Sequence, residues 1–290
     1  MTKNKKDHTP VQRLLVPNYI LAISKLLTIV SPWLASRFAA RLFLTPFKYA
    51  LPEREKEMDR NSIQKKEYVK KINREIVTYQ YGEGSKKVLL VHGWSGRGTQ
   101  LSKIAQALKQ QGYSCVSFDA PGHGKADGKM SMMPFFIEAV HHLDDNYGPF
   151  DAVIGHSLGG MASLRAIKEG LNTKKLIIIG TANKVTEITR DFAQNMKMND
   201  KVARKMKKYL DNHFNADMDI LSGAESAKDV QIPTLVVHDE EDVDVRVNSA
   251  YEIHETLQES ELLITKGLGH RRILGNKEVI NRITDFIAAQ

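Results

Sequence analysis

The sequence holds a single cysteine, Cys115. One thiol closes no internal disulfide, which predicts a reducing, cytoplasmic setting. Cys115 falls within the apolar run Tyr113–Phe118, so it reads as a small buried hydrophobe rather than a nucleophile. No Cys/His grouping has zinc-ligand spacing, and neither a metal nor an organic cofactor is predicted. A spanning helix needs roughly 20 uninterrupted apolar residues, and Pro17, Lys25 and Pro32 break the one candidate stretch. The basic start is not followed by a small-x-small cleavage site, which argues against a secretory signal. There is no internal repeat and no low-complexity tract. Nor is there a nucleic-acid-binding module, although the net charge is +8 and the pI about 9.3. The basic residues are scattered, with small clusters at Lys3–Lys6, Lys65–Lys71 and Lys197–Lys208. They read as solvated surface charge, and no nucleic-acid partner is predicted.

What is present suits a globular enzyme. With 42% hydrophobic residues over 290 positions, a sizeable core can form. Residues 1–13 are polar and basic and predict a disordered start. Residues 14–51 are apolar segments with interspersed cations. They predict amphipathic helices packed on the body of the protein; peripheral contact with a membrane surface is the second reading. Residues 52–66 are charged and read as a linker or exposed helix. The division expected is therefore 1–66 as an N-terminal helical extension with linker, and 67–290 as the main domain.

From Glu75 to Tyr81 residues alternate as in a strand, and Gly82–Ser85 marks a turn. After Lys87 the rhythm becomes strand, loop, helix. Val88–Val91, Tyr113–Phe118, Phe150–Ile154, Leu176–Ile179, Pro233–Val237 and Glu261–Ile264 are short apolar runs, separated by segments of helical character. That alternation predicts a mostly parallel, doubly wound α/β sheet. Residues 183–230 interrupt it without a strand-like run and predict a small helical cap over the C-terminal edge of the sheet, where ligands bind in such folds.

Candidate chemistry clusters at the ends of these strands. Gly155-His156-Ser157-Leu158-Gly159 reads G-x-S-x-G between a strand and a helix. That context pushes the Ser157 hydroxyl out of a sharp turn beside the first helix amides. His92-Gly93-Trp94 follows an earlier strand, and the Trp94 and Leu158 amides are candidate donors to an oxyanion. Asp242, five residues past a later strand, is the candidate acid, with Asp239 its rival. His270, after the last strand, is the candidate base. The order Ser157, Asp242, His270 is the one a nucleophile-elbow fold requires. His92, Gly93, His156 and Arg271 are candidate substrate contacts. Met130, Met132, Met133, Phe135 and Phe136 are candidates for lining an acyl pocket.

These motifs together resemble the α/β-hydrolase superfamily over roughly residues 70–290. The likeness rests on His92-Gly93-Trp94, Asp119-Ala120-Pro121-Gly122-His123-Gly124, the Ser157 turn, Asp242-Val243-Asp244-Val245 and Gly269-His270. It is nearest to bacterial hydrolases of unassigned substrate. The resemblance implies Ser157 as nucleophile, His270 as base, Asp242 as its orienting acid, and the Trp94 and Leu158 amides as the oxyanion hole. It implies a serine hydrolase acting on a carboxylic ester or thioester of a small acyl substrate. Alternatives are an acyltransferase or peptidase with the same residues, or a catalytically silent binding protein or membrane-associated scaffold. Two positions depart from the pattern: Asp239 stands where relatives have Gly, and Arg246 where they have Pro. Oligomeric state is not legible.

Overall fold

The computed structural model describes residues 16–289. The expected disordered start at 1–13 lies outside the described residues. Two helices come first, α1 (Asn18–Val30) and α2 (Pro32–Phe43). Pro32 occupies the opening turn of α2, where no amide is needed, and the Ser31 hydroxyl caps it by accepting from the Leu34 amide at 3.3 Å. A short helix α3 (Lys56–Asn61) then leads into β1 (Ile63–Val69). The sheet thus begins inside the stretch expected to be a linker. Ile63–Val69 carries three charged residues, Lys65, Lys66 and Glu67, beside the polar Gln64, so its apolar alternation is weak; pairing with β2 (Arg74–Tyr81) makes it a strand.

The remaining elements are β3 (Lys86–Val91), α4 (Ser102–Gln110), β4 (Tyr113–Asp119), α5 (Met133–Tyr147), β5 (Phe150–His156), α6 (Leu158–Lys168) and β6 (Thr173–Ile179). They continue with α7 (Val185–Asn195), α8 (Asp200–Phe214), α9 (Gly223–Ala227), β7 (Thr234–Asp239), α10 (Asn248–Thr256), β8 (Ser260–Thr265), α11 (Gly269–Arg272) and α12 (Lys277–Ala288). The eight strands form one sheet in the order β1-β2-β4-β3-β5-β6-β7-β8. Pairings β1·β2 and β2·β4 are antiparallel and the other five are parallel. Strands β3, β5, β6 and β7 are covered on both faces, which is why they read as unbroken apolar runs.

One face of the sheet carries α4 and α12, with Leu90, Ile104, Ile154, Ile177 and Ile283 in its core. The opposite face carries α5 and α6 and merges with the helices of 185–227 in a second, larger core. Helix α2 packs along α8, and the Arg37 guanidinium lies 4.4 Å from the Trp33 ring centroid and 4.8 Å from that of Tyr209. The N-terminal helices therefore brace the helices inserted between β6 and β7. Among the described residues no helix is long and apolar enough to cross a membrane.

Candidate active site

The sharpest local feature is Ser157. Its backbone sits at φ 54°, ψ −118°, a left-handed-side conformation that non-glycine residues seldom adopt. It is held there by the turn from β5 into α6. The Ser157 amide donates to the Ile179 carbonyl at 2.9 Å, and the Ser157 carbonyl accepts from the Gly160 amide at 3.0 Å. Close approach makes the flanking glycines necessary. A Cβ at Gly155 would stand 2.6 Å from the Gly159 carbonyl oxygen, and one at Gly159 would stand 2.6 Å from the His92 carbonyl oxygen. Helix α6 opens at Leu158, directly after the serine, and the opening amides of a helix have no carbonyl a turn before them within the helix.

The β3–α4 loop closes on that turn. A Cβ at Gly93 would lie 3.0 Å from Ser157 Cβ and 2.9 Å from His156 Nδ1, so only glycine lets this loop reach the serine. The Gln100 side chain fixes the loop by accepting from the Gly93 amide at 2.8 Å. This places Trp94 next to the serine turn, and both Trp94 and Leu158 line the same cavity as Ser157.

Asp242 and His270 arrive from loops after β7 and β8. The His270 ring donates through Nδ1 to Asp242 Oδ2 at 2.6 Å, while Asp242 Oδ1 accepts from the amides of Asp244 at 2.8 Å and Val245 at 2.9 Å. Burial alone would raise the Asp242 pKa, but the charge of His270 and hydrogen bonds from His238, His270 and Val245 outweigh it and hold the carboxylate ionised. For His270, burial works to lower the pKa; the Asp242 charge and hydrogen bond outweigh it, and the net shift is upward from 6.5. Gly180, one residue past the Ile179 carbonyl that holds Ser157, presents its Cβ position 3.1 Å from His270 Nδ1. The imidazole and the serine thus flank the same strand ends and line one cavity. No direct hydrogen bond joins their side chains among the described residues; such contacts in ligand-free hydrolytic sites commonly tighten only around substrate.

Asp239 has a different role. Its Oδ2 accepts from Thr265 Oγ1 at 2.8 Å and from the Leu268 amide at 2.9 Å, and its Oδ1 from the Glu241 amide at 3.0 Å. It ties the loop carrying His270 to the end of β7. The Asp that replaces a small residue here builds the loop instead of orienting the ring. Arg246, the other departure, pairs with Asp191 of α7 at 2.7 Å.

The structure separates the four expected substrate contacts. His156 and Arg271 line the cavity. His156 also donates from Nε2 to the His270 carbonyl at 3.0 Å, which clamps the backbone of that residue, and burial holds its ring neutral. Arg271 is exposed at the cavity wall, and no ion pair engages it among the described residues. His92 is a correction: it is buried away from the cavity, with Nε2 accepting from the Ala120 amide at 3.1 Å and Nδ1 donating to the Gly93 carbonyl at 2.7 Å. Burial pushes its pKa down to about 4, so it stays neutral and pins β4 to the β3 loop. Gly93 likewise acts through backbone approach and does not line the cavity. Of the expected pocket residues, Met132 and Met133 line the cavity; Met130 is exposed and Phe136 is buried beneath.

The cavity, about 200 Å³, has walls that sequence reasoning missed. Phe43, Leu44, Phe47 and Tyr49 come from the N-terminal segment, and Ile188, Phe192 and Phe214 from α7 and α8. Phe43 stacks on Trp94 with centroids 6.3 Å apart and meets Phe192 edge-on at 5.2 Å. The apolar character of residues 14–51 was a signal, but its target was invisible without the fold. Among the described residues, no three His, Cys, Asp or Glu side chains converge as metal ligands.

The sheet order, the strained serine between β5 and α6, and the acid and histidine after β7 and β8 coincide with two family matches. The family described as serine aminopeptidase, S33 matches residues 82–223, and the one described as TAP-like protein matches residues 219–289. The chain belongs to the α/β-hydrolase superfamily. Solved structures agree on the fold. An esterase of Pyrococcus furiosus, Pf2001, is similar with a TM-score of 0.64 at 18% identity, covering 84% of this chain and 96% of that one. A bromoperoxidase from Bacillus anthracis is similar with a TM-score of 0.59 at 17% identity, covering 78% and 99%. An esterase from Exiguobacterium antarcticum, EaEST, gives 0.59 at 15% identity, covering 75% and 97%. No curated protein sequence matches the chain. Within this superfamily the chain is a hydrolase-fold protein with esterase-like neighbours.

Proposed function

We propose that this α/β-hydrolase is a serine hydrolase that cleaves a carboxylic ester or thioester through an acyl-enzyme on Ser157. The observation that carries the reading is the strained Ser157 turn facing a cavity that His270 also lines, with the His270 ring joined to the buried Asp242 at 2.6 Å. His270 takes the proton from Ser157 Oγ as oxygen attacks the acyl carbon. Asp242, accepting from Nδ1, keeps Nε2 free to receive that proton and stabilises the imidazolium. The Leu158 and Trp94 amides receive the developing oxyanion. His270 then protonates the leaving alcohol or thiol, and a water deprotonated by the same ring releases the acid and restores Ser157. The cavity's aromatic and aliphatic lining suits an acyl chain better than a charged peptide terminus, since Glu187 and Asp191 at its wall are already near Lys184 and Arg246. Arg271, which lines the cavity, would supply a cation for an anionic group on the substrate. A buried thiol at Cys115, pushed up to about 12 by burial, fits a cytoplasmic setting without taking part.

A fluorophosphonate probe tests this directly. The wild type is labelled at Ser157 and Ser157→Ala is not. Labelling of equal strength in Ser157→Ala would move the nucleophile elsewhere.

A further inference from the structure

Helices α1 and α2 bury one face and leave the other bare. Leu21 and Ser24 face inward, with Ile20 and Leu27 packed partly on the core. Tyr19, Ile23, Leu26 and Val30 recur at intervals of four, three and four, so they form one stripe on the outer face. Leu26 is 60% exposed, Ile29 74% and Val30 68%, and Trp33 and Leu34 continue the patch onto α2. Among the described residues, seven of the thirteen exposed large hydrophobic side chains lie between Tyr19 and Leu34. A concentration of this kind marks an interaction surface.

Charge indicates the partner. Between Asp7 and Glu53 there is no acidic residue, although an even spread of the chain's 34 acids would put about five there. The same interval holds Arg13, Lys25, Arg37, Arg41 and Lys48. Lys25 and Arg41 are exposed, and neither is ion-paired among the described residues. Tyr19 and Trp33 stand near the two ends of the stripe, as aromatic side chains do at a lipid–water boundary. With 13 residues, α1 is about 20 Å long, short of the roughly 30 Å hydrocarbon layer. It can lie in the interface but cannot cross it.

We infer that the outer face of α1 and the start of α2 docks on an anionic lipid bilayer. The apolar stripe enters the headgroup boundary while Lys25 and Arg41 meet anionic headgroups. Helix α2 runs on into Phe43–Tyr49, the wall of the cavity, so docking sets that wall beside the lipid. The inference is independent of the acyl chemistry above, because its readout is sedimentation.

The test is co-sedimentation of the full chain with vesicles of phosphatidylcholine alone and with 30–40% phosphatidylglycerol, a range of about one-third anionic lipid. The protein is expected to pellet with the anionic vesicles, less at high salt. Leu26→Glu with Ile29→Glu is expected to lower the partition coefficient at least about tenfold. Both sites are exposed and Glu is a good helix former, so the melting temperature and hydrolysis of a short soluble ester serve as controls for folding. Full-length protein that stays in the supernatant at every composition overturns the inference. So does a stable dimer that the same double variant dissociates, since a second copy would then cover the stripe. Loss of ester hydrolysis with vesicle binding intact would instead count against the proposed function.

Discussion

Replacing Asp242 by Asn offers the most exacting check of the proposed chemistry, because both faces of the carboxylate accept hydrogen bonds. Oδ2 receives His270 Nδ1–H at 2.6 Å and lies 3.5 Å from His238 Nε2, which is also 2.9 Å from the Val245 carbonyl oxygen. Oδ1 receives the Asp244 and Val245 amides. An asparagine carries one acceptor where two are needed. If its oxygen keeps the two amides, its NH2 faces the imidazole and forces Nδ1 to accept. Nε2 then carries the proton and cannot take one from Ser157. If the amide flips, two backbone donors lose their acceptor. We expect a stability loss of about 1–3 kcal/mol and a fall in kcat of about 10³–10⁴, equivalent to about 4–5.5 kcal/mol in the barrier. The pH profile adds a second readout. His270 must be neutral to act as base, and its pKa is raised from 6.5 largely against burial by the Asp242 charge. The acid limb of kcat/KM in the wild type therefore lies above pH 6.5, and in Asp242→Asn it moves to lower pH. The assay is a pH series on a chromogenic ester, with folded fraction checked at each pH. An unmoved acid limb, or an Asp239→Asn variant that reproduces the kinetic loss without loss of stability, would refute the assignment of the acid.

The same pair governs stability. The folded-state pKa of Asp242 lies below its ordinary 3.8, so its contribution is present above that pH and is lost as pH falls through the lowered value; denaturant midpoints measured below pH 4 should drop more steeply in the wild type than in Asp242→Asn. Gly155→Ala places a Cβ 2.6 Å from both the Gly159 carbonyl oxygen and Gly160 Cα, which must part β5 from α6; a loss of at least about 1–3 kcal/mol is expected in urea unfolding, and unchanged stability would contradict the packing described. Phe43→Ala removes the ring between Trp94 and Phe192; kcat/KM for an octanoyl ester should fall about tenfold while an acetyl ester changes little, and an equal effect on both would place the acyl chain elsewhere.

Much of the sheet was legible because burial on both faces leaves a local mark. Val88–Val91 and Leu176–Ile179 are unbroken apolar runs for that reason, and each became the core of a strand. Ile63–Val69 was not legible, since an edge strand bearing Lys65, Lys66 and Glu67 takes its form from β2 rather than from its own pattern. The serine turn was visible because glycines at 155 and 159 respond to contacts made within a few residues of Ser157. His92 was misread as a substrate contact, since nothing in its neighbours tells that Ala120, 28 positions away, donates to its ring.

The chain alone settled the features that depend on near neighbours: the alternation of strand and helix, the strand-to-helix turn at Ser157, and the order in which serine, acid and histidine occur. Only tertiary structure separated the surroundings of Asp239 and Asp242. Three residues apart at the end of β7, they differ in which one faces the imidazole and which one ties down the following loop. It also decided that Phe43–Tyr49 walls the cavity and that the stripe from Tyr19 to Leu34 faces outward. An amphipathic helix specifies that one side is buried; against which partner depends on surfaces assembled from distant parts of the chain.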